Sequence, residues 1–358
     1  MENRKIRVAI THGDTNGIGY EIILKAFEDV GMLELCTPII YGNPKIATYH
    51  RNALQLETPF TIIKNAEDVR PDKLNMLATF DDEVKVELGA PTPESAEAAR
   101  KALQRAKEDL KNGLYDVLVQ APVVSSNTPD LDDKSLLIMF ANDIRIALAT
   151  NHLPLKDVAT SITSDKLVEK CRLLHTSLKR DFRINNPRIA VLALNPQLGA
   201  EEENIISPAL KTVEEAGIQA YGPFTADDFF GNGMQHSFDG ILAMYDDQGN
   251  VPFKTLAHEF GVKMKAGFPF VITTPDQDPC FDIAGKGMAD PTSLRHAIYA
   301  AIDIFRNRIH YDEPLANPLP KLYHEKREDG DKARFAVKAK DQFKTVDKAP
   351  QDDKTENE

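Results

Sequence analysis

The chain has no tryptophan, three cysteines, no surplus of basic side chains and no long apolar run, and each lack narrows what it can do. Cys36, Cys171 and Cys280 lie far apart without CxxC spacing. A disulfide framework and a cysteine zinc site are therefore not expected, and the cytoplasm is the expected compartment. Acidic residues outnumber basic ones, 55 to 43, for a net charge of −12. That argues against a nucleic-acid surface, while leaving room for one anionic substrate in a local basic pocket. No apolar run is long enough to span a bilayer, and MENRKIRVAI leads into a strand-like run without a signal-peptide pattern. With 358 residues, 42% of them hydrophobic, the chain has the composition of a globular protein with room for two domains.

The most informative stretch is 241–250, ILAMYDDQGN. An apolar run of this length bounded by a turn signal reads as a buried strand of a parallel sheet. Ligands of such sheets sit beyond the carboxyl ends of the strands, which puts Tyr245, Asp246, Asp247 and Gln248 on the rim of a cleft. A polar turn after a core strand is the alternative. Lys254 follows, a cation suited to a phosphate or to those acids.

Residues 6–10 read as a first strand running into a glycine-rich turn, 11–19, and a helix over 21–30. The turn lacks GxGxxG spacing, so a tight strand-to-helix connection explains it as well as a nucleotide does. Further strands are expected at 38–41, 60–63, 83–88, 116–120, 188–194 and 268–273, with a hairpin of 135–140 and 145–150 turning at Asn142-Asp143. Helices are expected from Thr92-Pro93-Glu94 to Gly113, at 163–178, 205–216 and 291–308. Residues 123–134 form a polar loop, and from about 317 the chain is charged with few large apolar residues, the composition of a disordered tail.

In order along the chain come TxGDxNGIGxE (11–21), DVLVxAP (116–122), ALATxHLPLxD (147–157), IAVLxLNP (189–196), GPxxADxFF (222–230), LAMYxDQG (242–249) and IAGKG (283–287). This series resembles the 4-hydroxythreonine-4-phosphate dehydrogenase (PdxA) family of vitamin B6 biosynthesis, to about residue 320. The resemblance implies an α/β fold of two α/β/α domains around a cleft, like that of the isocitrate and isopropylmalate dehydrogenases. The expected division is 1–125 plus 275–318, 126–274, and a tail over 319–358. It further implies a homodimer that uses NAD and a divalent metal held by three histidines. The secondary alcohol of 4-hydroxythreonine 4-phosphate is oxidised, and the resulting keto acid loses carbon dioxide.

Carried over position by position, the first metal histidine is His152, the second position is Gln197 and the third is Asp246, so one of three ligand types is kept. An amide is a poor substitute for imidazole on a transition metal, and a carboxylate favours harder ions. Lys254 stands at the family's phosphate lysine, and Asp247, beside the old metal position, is the remaining candidate catalytic group. The family's asparagine is here Lys263 and its arginine Ile272. The lysine of the xPxxK segment is missing after Pro122, and the GHTE loop is reduced to 127–134. Positioned charge is what such a catalyst runs on, so these losses lead to the expectation of a degenerate member. It would lack tight metal binding and the family oxidation, and bind a small phosphorylated or anionic ligand. The alternative is an active NAD-dependent dehydrogenase using His152, Asp246 and Asp247 around a harder metal.

Overall fold

The computed structural model describes residues 4–80, 84–124 and 135–317. Residues up to Asp312 belong to one compact unit. The expected loop remnant at 127–134 and the tail at 319–358 lie outside the described residues. No helix among the described residues is long and apolar enough to cross a membrane.

Among the described residues, twelve strands form one mixed sheet. They are β1 (Ile6–Thr11), β2 (Cys36–Gly42), β3 (Thr61–Ile63), β4 (Asn75–Ala78), β5 (Val117–Gln120) and β6 (Leu136–Ala141). Then come β7 (Ile144–Leu148), β8 (Arg188–Leu192), β9 (Gln219–Phe224), β10 (Gly240–Ala243), β11 (Val262–Ala266) and β12 (Val271–Pro275). Their spatial order is β3-β4-β2-β1-β5-β12-β11-β6-β7-β10-β8-β9. The pairs β12–β11, β11–β6 and β6–β7 are antiparallel, and parallel pairing flanks them on both sides. The fold is thus mixed α/β with a large sheet.

Helices cover both faces, because successive strand residues point to opposite sides. On one face, α1 (Gly19–Ala26), α6 (Ser164–Arg180), α7 (Ser207–Glu215) and α10 (Thr292–Ala316) bury Ile22, Leu174, Val213 and Ile298 against Ile10, Ile138 and Val191. The opposite face carries two separate apolar clusters. One lies under α4 (Pro93–Lys111), around Ala9, Leu118, Ile272 and Leu103. The other lies under α8 (Ala226–Gly231) and α9 (Asp246–Ala257), around Met139, Ile146, Phe229 and Phe253.

Several expected elements differ. The expected strand at 83–88 is absent: Val84 to Glu87 pair with no strand. The Glu87 N–H instead donates to Asn16 Oδ1 (2.9 Å) and the Gly89 N–H to the Asn16 carbonyl (3.0 Å), which ties this segment to the glycine-rich turn. The first helix stops at Ala26 rather than 30. The strand expected over 268–273 starts later, as β12, and β11 precedes it. Beyond the strand of ILAMYDDQGN, the polar half is not a turn but the first turn and a half of α9, a helix that accommodates Pro252. Four further helices were not anticipated, α2 (Gly31–Leu35), α3 (Pro44–Ala53), α5 (Leu155–Ser161) and α8. Asn43 caps α3 by accepting from the Lys45 and Ile46 N–H groups.

Candidate functional site

Three neighbouring strands, β7, β10 and β8, run parallel and end at one rim of the sheet. His152 lies four residues beyond the end of β7, Asp246 opens α9 after β10, and Gln197 lies in the loop after β8. Sheet register therefore gathers the exits that carry all three residues.

The exits of β7 and β10 stay zipped past the strands. The Ala149 N–H donates to the Ala243 carbonyl (2.8 Å), and the Thr150 hydroxyl to the Met244 carbonyl (2.7 Å). Two residues on, the His152 backbone N–H donates to Asp246 Oδ2 at 2.7 Å. His152 adopts the left-handed region, φ 56°, which turns its amide toward that carboxylate. The other Asp246 oxygen accepts from Asn250 Nδ2 at 3.4 Å. As the first residue of α9, Asp246 also has the favourable end of the helix dipole beside it. The charge of Asp246 is thus met by backbone and amide donors.

Lys254, a candidate cation for Asp246 and Asp247, and Lys263 are both engaged elsewhere. Lys254 is half exposed and 3.9 Å from Asp278, while Lys263 pairs with the buried Asp276 at 2.6 Å. Both partners follow β12. Asp247 is exposed on the outer side of α9, and so is Gln197 in its loop. Ile272, at the arginine position, is buried in the cluster under α4.

Two organising residues escaped the sequence reading. Glu202 is buried, and its carboxylate accepts the Leu194, Asn195 and Gly199 N–H groups at 2.8–2.9 Å. Burial pushes its carboxyl up, but these hydrogen bonds outweigh that and hold it below the ordinary glutamate value. The shortened loop is thereby wrapped on Glu202, with Gln197 at its outer edge. Gln248, expected on the rim, is buried between strand ends instead. It accepts from the Met244 N–H and donates to the Ala193 carbonyl, each at 2.7 Å. A glutamine one turn into a helix that starts at a strand end is the signal that could have revealed it.

The glycine-rich turn after β1 is closed on itself. Its Asp14 N–H donates to the Pro122 carbonyl, Asn16 N–H to the Asp14 side chain, Gly17 N–H to the Asp14 carbonyl and Ile18 N–H to the Pro279 carbonyl. These amides are not free to cradle a phosphate. A Cβ on Gly19 would lie 2.0 Å from the His12 carbonyl, so the glycine serves a close approach of backbone to backbone.

Among the described residues no group of three or more His, Cys, Asp or Glu side chains is placed to hold a metal. The donor set at the rim is one imidazole, one carboxylate already accepting two N–H groups, and one exposed amide. It does not fit a transition metal bound by three imidazoles.

The model of the family described as pyridoxal phosphate biosynthetic protein PdxA matches residues 34–301. A 4-hydroxythreonine-4-phosphate dehydrogenase of Bacteroides thetaiotaomicron is 49% identical, over 94% of this chain and 98% of its own. One of Sulfurihydrogenibium sp. is 33% identical, over 85% of this chain and 99% of its own. Among solved structures, a 4-hydroxythreonine-4-phosphate dehydrogenase from Burkholderia phymatum superposes with TM-score 0.67 at 26% identity, covering 84% of this chain and 99% of that one. A putative enzyme of that name from Salmonella typhimurium gives TM-score 0.70 at 25% identity, covering 84% of this chain and 100% of its own. From the motif order, the fold and these matches together, the chain belongs to the PdxA family.

Proposed function

We propose that this protein is a PdxA-family member in which metal-dependent oxidation of 4-hydroxythreonine 4-phosphate is lost or strongly reduced. The observation that carries the reading is the hydrogen bond from the His152 backbone N–H to Asp246 Oδ2 (2.7 Å). It makes the residue at the third metal position a structural acceptor. Bound by the family, a divalent ion supplies Lewis-acid stabilisation of developing alkoxide and enolate charge. Among the described residues of this rim, Gln197 and Asp247 face solvent, and Lys254 leans toward Asp278. The position of the family's arginine is held by the buried Ile272. Loss of such groups costs orders of magnitude in rate.

The test is NAD reduction by purified protein with 4-hydroxythreonine 4-phosphate, with zinc, cobalt, magnesium or no added metal. No turnover above background is expected under any of these conditions. A second reading has its own support in the 49% identity to a dehydrogenase over nearly the whole chain. In it the protein is an active NAD-dependent dehydrogenase on this or another phosphorylated hydroxy acid, with His152, Asp246 and Asp247 around magnesium, an ion that prefers oxygen ligands. Turnover dependent on magnesium is its signature.

A further inference from the structure

The two faces of the sheet join its halves unequally. Strands from residues 6–120 together with β12 form one half, and strands from 136–266 form the other. On the face that carries α4, α8 and α9, the apolar core is interrupted between them. One cluster reaches β12 at Ile272, and the other begins on β6 at Met139. On the opposite face a single apolar cluster runs across the junction, with Val262, Met264 and Ala266 of β11 and Val271 of β12 in it.

That continuous face also carries a polar link between the halves. α10 starts in the first half, where the Thr273 hydroxyl donates to the Ala297 carbonyl and Arg295 to the Lys25 carbonyl. Toward its other end, Arg308 reaches the C-cap of α6, which belongs to the second half. Arg308 Nε donates to Asp181 Oδ1 at 2.6 Å and Nη2 to Asp181 Oδ2 at 3.4 Å. Its Nη1 donates to the Phe268 carbonyl at 3.1 Å, in the turn between β11 and β12. Asp181 accepts from the Ser177 hydroxyl as well, and its carbonyl accepts from Asn307 Nδ2 at 2.8 Å. The two charged side chains are only 6% and 4% exposed. A buried pair of this kind adds little net stability over an apolar replacement, whereas removing one partner strands the other. Its main effect is geometric: the rigid guanidinium fork holds α10, α6 and the turn in one arrangement.

We propose that the Arg308–Asp181 pair is a latch that sets the angle between the two halves of the sheet. Drawing α6 and α10 together on one face bends the sheet toward that face. It thereby keeps α4 and α9 apart on the other, where no apolar cluster of the described residues bridges the halves. Release of the latch lets α6 and α10 part and brings α4 toward α9, the helix that Asp246 opens. The latch acts on the opening that α9 borders and does not depend on whether the family oxidation survives.

The experiment measures one distance within the full chain by double electron–electron resonance. Nitroxides are placed on Glu108→Cys of α4 and Thr255→Cys of α9, both exposed positions, in a Cys280→Ser background; Cys36 and Cys171 are buried. Labelled chains are diluted into unlabelled ones, so that only the distance within one chain is read. The labelled parent is compared with Arg308→Met, Asp181→Asn, Arg308→Lys and the double variant Arg308→Met/Asp181→Leu. The parent is expected to give one narrow distribution. Arg308→Met and Asp181→Asn shift its mean to a shorter distance, by several ångström, and broaden it. Arg308→Lys keeps the charge but loses the fork, and falls between. The double variant strands no charge, so it folds even where a single variant does not, and it shows the same shift. A distribution unchanged in every variant that folds overturns the proposal, and so does a shift to longer distance.

Discussion

His12 is fully buried directly after β1, its ring stacked on Tyr20 at 5.1 Å and 5.9 Å from Phe80. Neither ring nitrogen has a hydrogen-bond partner of normal geometry. Burial, with nearby His50 acting in the same direction, lowers its pKa from 6.5 to about 4. Burial also lowers His50, whose ring faces the Thr15 carbonyl at 2.8 Å. Both histidines are therefore held neutral in the folded chain. Between pH 6.5 and about 4 the unfolded chain binds the proton that His12 refuses, so stability falls as pH falls and the loss levels off below about 4. For His12 alone the loss is about 3 kcal/mol. Urea unfolding at pH 7 and pH 4.5 should show most of this loss in the unmodified protein and a smaller one in His12→Leu. Parallel pH profiles for the two proteins would contradict it.

At the scale of elements, the joint between the β7 exit and α9 rests on Asp246. Asp246→Ala removes the acceptor of the His152 N–H and a favourable charge at the helix start, a loss of about 1–2 kcal/mol. The same loss is expected in urea unfolding with and without EDTA. A difference that disappears in EDTA would mean that Asp246 stabilises the protein through a metal. Elements of this kind divide the legible from the illegible. Buried strands written as continuous apolar runs, such as β1, β5 and β10, were readable because local pattern determines them. So were the cap at Thr92, whose side chain accepts the Ser95 N–H, and the hairpin at Asn142, with its φ of 50°. The alternation at 83–88 misled because its hydrogen-bond partner, Asn16, is some seventy residues away. In β11 the alternation Val-Lys-Met-Lys-Ala was present, yet two lysines at the centre of a sheet argue against a strand unless that face is open. The candidate site was legible as positions: His152, Gln197 and Asp246 do follow neighbouring strands. That Asp246 holds a backbone amide depends on the left-handed turn at His152, which its sequence does not announce.

At the scale of the whole molecule, we propose that the sheet is shared by two lobes that part between β12 and β11, at 267–270 rather than at the expected 274/275 boundary. The strand order supports this: strands from residues 6–120 with β12 occupy one half, and strands from 136–266 the other. We also propose a homodimer. Its support is the set of exposed apolar side chains beside the candidate site, Leu153, Leu155, Leu198 and Val251, each 39–71% exposed. Sedimentation equilibrium at micromolar concentration should give twice the chain mass of 39.8 kDa. A stable monomer would contradict it. The central claim is that this PdxA-family scaffold no longer performs the family's metal-dependent oxidation, and one assay tests it most directly. NADH formation is followed with purified protein, NAD, 4-hydroxythreonine 4-phosphate and each of zinc, cobalt and magnesium. The account predicts no NADH above the protein-free control with any metal, and metal-dependent NADH production that disappears in Asp246→Ala would contradict it.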